Sequence, residues 1–76
     1  MDIQAVRQAQ ARVIVACSKA LHLINHDQPE SAQSYAVEAR SELKKLVKAG
    51  GSGSREFYSA LDRVREVNDR LAPARN

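Results

Sequence analysis

His22 and His26 stand one helical turn apart, a spacing that turns two imidazoles the same way, as a metal clip or a pair of catalytic bases requires. Position 23 between them is Leu, where the helix of a zinc peptidase carries glutamate, and both histidines fall on the polar side of their segment. Asp27 could add a third ligand but is better placed as a helix cap. The pair reads as solvated surface histidines, and no metal or other cofactor is expected.

Cys17 is the only cysteine, so the chain has no internal disulfide and no zinc-finger spacing. A reactive thiol wants an exposed, electropositive setting, whereas Val13, Ala20 and Leu21 surround this one on a helical projection. It reads as a buried structural cysteine. No Ser/His/Asp order and no carboxylate pair in an apolar setting suggest nucleophilic or acid-base catalysis. The run Gly50-Gly51-Ser52-Gly53-Ser54 lacks the Gly-Lys-Ser/Thr ending of a phosphate loop. The chain is not expected to be an enzyme.

The remaining chemistry-bearing residues suit binding. Arg40, Lys44 and Lys48 form a ladder at i,i+4 spacing with Lys45 further round, while Glu38 and Glu42 occupy the opposite flank. Such a ladder could line an acidic partner or a phosphate backbone, or complete the dipole of its helix as a solvated flank. No aromatic residues interleave with it as single-strand binding would require. Tyr35 and Tyr58, near helix beginnings, can bury a ring and keep the hydroxyl wet, as residues at the rim of an interface do.

Three amphipathic segments must position these groups. Residues 3–25 contain no Gly or Pro, and apolar side chains recur at Val6, Val13, Cys17, Ala20 and Ile24, which predicts a helix about 35 Å long. Asp27 and Glu30 have the spacing of a capping box, and Pro29 fits the first turn of a second helix over about 29–48. Its expected inner face is Ala32, Tyr35, Ala36, Ala39, Leu43, Leu46 and Val47, and Gly50 should stop it. The loop 50–54 has the composition of a flexible linker, whether natural or inserted, and Ser54 is a good N-cap. A third helix over about 55–72 then carries Phe57, Leu61, Val64, Val67 and Leu71 and ends at Pro73. Both connections are short, so the expected fold is all-α, a three-helix up-down-up antiparallel bundle in one domain over 1–76.

Placed at ~100° per residue, the apolar residues of the first helix span roughly 180°, wider than the ~100° a surface helix needs. Ile3, Ile14 and Leu21 mark one edge of that arc and Leu23 the other. A chain of 76 residues is near the size at which only about 60% of the unfolded surface is buried and a monomer is marginal. The two observations together predict dimerisation, or docking onto a larger protein, through the first helix. Partner contacts are then expected at Ile3, Ile14, Leu21, Leu23, Tyr35 and Tyr58, with a basic rim at Arg40, Lys44, Lys45 and Lys48. Asn68 falls inside the apolar arc of the third helix, where a lone amide can set register, and Gln10 is its expected mate.

The function expected is that of a small non-enzymatic regulator, inhibitor or adaptor; the alternative is a nucleic-acid-binding helical domain using the basic ladder. A net charge of +3 is modest for the latter. The first sixteen residues lack a basic start and long apolar core, and no stretch approaches the ~18 apolar residues of a membrane span. A cytoplasmic protein without membrane partners is expected.

Overall fold

The computed structural model describes residues 2–72, and their regular structure is entirely helical. Three helices, α1 (Ile3–Asn25), α2 (Pro29–Leu46) and α3 (Arg55–Leu71), pack together. No described helix is long and apolar enough to cross a membrane.

Helix α1 begins where Asp2, in extended backbone, accepts a hydrogen bond from the Ala5 N–H at 3.2 Å, which satisfies one of the free donors of the first turn. Its end is closed by the His26 N–H on the His22 and Leu23 carbonyls and by the Gln28 N–H on the Leu23 carbonyl at 2.8 Å. Reversing the chain this tightly takes a positive φ, and Asp27 supplies it at 59°. The capping box expected from Asp27 and Glu30 is therefore not made. Gln28 occupies the N-cap of α2 without a side-chain bond, and Pro29 opens the helix.

Helix α2 stays regular to Leu46, two residues short of expectation, and the chain leaves the helical path at Gly50, whose φ of 93° makes the expected stop. The following segment is not the slack linker its composition suggests. The Asp2 N–H donates to the Ala49 carbonyl at 3.2 Å, Ser54 N–H and hydroxyl both donate to the Gly51 carbonyl, and Gly51 is buried against Leu46 and Val6. The Ser54 hydroxyl oxygen also accepts from the Phe57 N–H at 3.1 Å, so the expected N-cap of α3 is present. Pro73, expected to end that helix, lies outside the described residues.

The Asp2 to Ala49 bond sets the start of α1 beside the end of α2. Arg70 Nη1 donates to Asn25 Oδ1 at 3.1 Å, which joins the ends of α3 and α1. Helix α1 is the central element, touching both others, while α2 and α3 touch each other least. The fully buried positions are mostly small: Ala9, Ala16 and Ala20 of α1 and Ala32, Ala36 and Ala39 of α2 share the core with Val6, Val13, Cys17, Leu46, Ala60, Val64, Val67 and Leu71. Alanines at a crossing let two helix backbones approach closely, but they remove little apolar area from water. The larger side chains Leu21, Leu23, Ile24, Leu43, Phe57 and Tyr35 lie around this centre, only partly buried.

Candidate interaction surface

The wide arc of α1 is largely explained by its two neighbours. Lys19 on one side of the helix stands over the Tyr35 ring of α2, with Nζ 5.5 Å from the centroid. On the other side Asn25 is bonded to Arg70 of α3, and Cys17 feels the charges of Arg63 and Glu66 of the same helix. Ile14 and Leu21 fall between Cys17 and Asn25 in helical angle, so they lie on the side that faces α3. Both are half-buried, and Leu21 packs against the core. Their expected freedom is thus reduced by α3, because a helix that covers two others needs about twice the apolar arc of one that covers a single neighbour.

Ile3, at the same edge, remains 41% exposed. Leu23 and Tyr35 are half-buried on the opposite edge, where they line an open groove of about 390 Å³ together with Ser18, Lys19 and His22. Tyr58 is 57% exposed on α3 and meets the Phe57 ring edge-on at 5.3 Å. The six expected contact residues are therefore divided: Leu23 and Tyr35 share the edge between α1 and α2, Ile3, Ile14 and Leu21 the edge toward α3, and Tyr58 stands apart.

Next to the groove of Leu23 and Tyr35, and sharing Lys19 with it, a second groove of about 410 Å³ runs between α1 and α2. Val15 lies in it and is 52% exposed. Glu42, whose side chain is 12% exposed, is also there; one oxygen accepts from Lys45 Nζ at 3.1 Å, and the other is buried with no hydrogen bond from any described residue. Val15 escaped the sequence reading because it lies outside the main apolar arc. The signal it did leave was a β-branched apolar side chain on a polar face, bracketed by Arg12 and Lys19.

The basic ladder is exposed, but half of it is engaged within the chain: Lys45 pairs with Glu42, and Arg40 Nη1 donates to Asn68 Oδ1 at 3.1 Å. That bond also corrects the expected pairing of Asn68 with Gln10, since Asn68 faces α2 and not α1. Lys44 on α2 and Lys48 in the turn after it make neither an ion pair nor a side-chain hydrogen bond among the described residues.

The His22 and His26 rings are 4.3 Å apart between centroids, on exposed side chains. Among the described residues no group of three or more His, Cys, Asp or Glu side chains is placed to hold a metal ion. Burial pushes the Cys17 thiol above its ordinary pKa; nearby Arg63 opposes that shift and Glu66 adds to it. A thiol held protonated in a packed core is a poor nucleophile.

In comparison with known proteins, no family model, no curated protein and no solved structure matches the chain.

Proposed function

We propose that this chain is a small non-enzymatic interaction module, an up-down-up bundle that works by contact along its first helix, either with a second copy or with a larger protein that it regulates. The observation that carries the reading is the distribution of apolar size. Alanines fill the centre while Leu23, Tyr35, Ile14 and Leu21 are covered only in part, so a second surface laid along α1 would bury area that α2 and α3 leave in water. The edge between α1 and α2 is the favoured side because Leu23 and Tyr35 line an open groove there.

Sedimentation velocity with two single substitutions tests this. Wild type is expected to sediment as a dimer at micromolar concentration, Leu23→Glu to shift it toward monomer, and Ile14→Glu to lower thermal stability while keeping the dimer. A monomeric wild type whose captured partners and stability are the same with Leu23→Glu and Ile14→Glu would remove the reading.

The alternative is phosphate-backbone binding through Lys44 and Lys48, the two ladder residues with neither an ion pair nor a side-chain hydrogen bond among those described. Each phosphate contact to duplex DNA steepens the dependence of log affinity on log salt by about 0.9, so a few cations give a shallow but measurable slope. Fluorescence anisotropy with no duplex or single-strand binding at low salt would end that alternative.

A further inference from the structure

We propose that the groove between α1 and α2 is one half of a two-fold symmetric interface, in which Arg12 and Lys19 of one copy pair with Glu38 and Glu42 of the other around Val15; this rests on the self-association proposed above. Ala11, Val15 and Ala16 give the groove its apolar lining. Its walls are segregated by charge: Arg12 and Lys19 rise from α1, and Glu38 and Glu42 from α2. Arg12 and Lys19 stand on α1 opposite Glu42 and Glu38 on the antiparallel α2, so a two-fold axis running along the groove between the two helices would lay α1 of each copy over α2 of its mate and set both cations over the carboxylates. An interface that repeats the same patch on both partners must be complementary to itself, and a groove with one cationic and one anionic wall meets that requirement.

Two observations indicate that the groove is not already closed by its own chain. No ion pair joins Arg12 or Lys19 to Glu38 or Glu42 across it among the described residues; Glu42 is paired along its own helix, with Lys45. The second Glu42 oxygen is buried without a donor, a state that carries a desolvation cost until a donor arrives. Pairing at that oxygen requires the Glu42 side chain to turn outward to a partner cation, while partner side chains cover Val15, one of the most exposed aliphatic residues among those described.

The test is charge reversal on each wall, read by sedimentation velocity, with circular dichroism to verify that helicity is retained. Arg12→Glu with Lys19→Glu makes both walls acidic, and Glu38→Lys with Glu42→Lys makes both basic. Each variant alone is expected to dimerise at least about tenfold more weakly than wild type, and an equimolar mixture of the two to recover a dimer, because each acidic wall then meets a basic one. Since Glu42 is largely buried, Glu38→Lys alone is the gentler partner in the mixture if the double variant loses helicity. A wild-type dimer unmoved by either reversal overturns this interface and leaves the wider self-association reading in place. Variants weakened singly but not restored by mixing also overturn it. A wild-type chain that is monomeric under all conditions overturns both.

Discussion

Gly51 has no room for a side chain. A Cβ there would lie 2.6 Å from Leu46 Cδ2 and 3.0 Å from both the Leu46 carbonyl oxygen and Val6 Cγ1, and Leu46 and Val6 are themselves fully buried. Gly51→Ala is therefore expected to cost about 1–3 kcal/mol in urea unfolding, the range for overpacking a core. Gly53 provides the contrast: it has φ 77° but nothing within 4 Å of a Cβ, so Gly53→Ala should cost only the ~1–2 kcal/mol of a left-handed residue. Cys17 makes a pH-dependent prediction. Its pKa is raised in the folded state, so the neutral thiol contributes stability that is fully present below the ordinary value of 9.0 and is lost as pH rises through the higher folded value. Wild type should lose more stability than Cys17→Ala in chemical denaturation between neutral and strongly alkaline pH. A parallel decline of the two would count against the buried thiol. The burial of Cys17 was readable from its apolar neighbours at helical spacing. The role of Gly51 was not, because a Gly/Ser run has the same composition whether it is slack or packed, and only the approach of Val6 and Leu46 decides between the two.

At the scale of the elements, most boundaries were legible and the caps only partly so. Helix α1 over Ile3–Asn25 follows from an uninterrupted apolar period, and α3 starts after Ser54 because its hydroxyl caps Phe57. The reversal between α1 and α2 departs from expectation because Asp27 has two local uses, capping a helix or taking a positive φ, and the three-residue connection His26–Gln28 demands the second. Unfolding measurements separate the cases. Ser54→Ala should cost about 1 kcal/mol as a lost cap, whereas Asp27→Gly, which removes any capping side chain but favours the positive φ, should leave stability unchanged or raise it by up to about 1 kcal/mol. A loss at Asp27 equal to that at Ser54 would restore the capping role. The arc of α1 was measured correctly on the projection, yet its meaning depended on how many helices it had to serve. Asn68 shows the same gap: its place in the apolar arc was plain, and its partner Arg40 on α2 was set by packing angles that no single helix contains.

For the molecule as a whole, α1 lies along a body whose longest extent is 39 Å, so a partner aligned with it meets the longest face available. The core beneath is built from alanines and valines, with Leu46 the largest fully buried side chain. Each alanine buries little apolar area, and a small domain with such a centre has little stability to spare. On the proposed self-association, a second copy covering Leu23, Tyr35 and Val15 would add apolar burial that the single chain lacks, and linkage would then tie folding to concentration. The central claim is this coupling of fold and contact. Thermal unfolding followed by circular dichroism over a roughly hundredfold range of protein concentration tests it most directly. The wild-type midpoint is expected to rise steadily with concentration, and that of the Arg12→Glu, Lys19→Glu variant to stay nearly flat. A wild-type midpoint independent of concentration would contradict it.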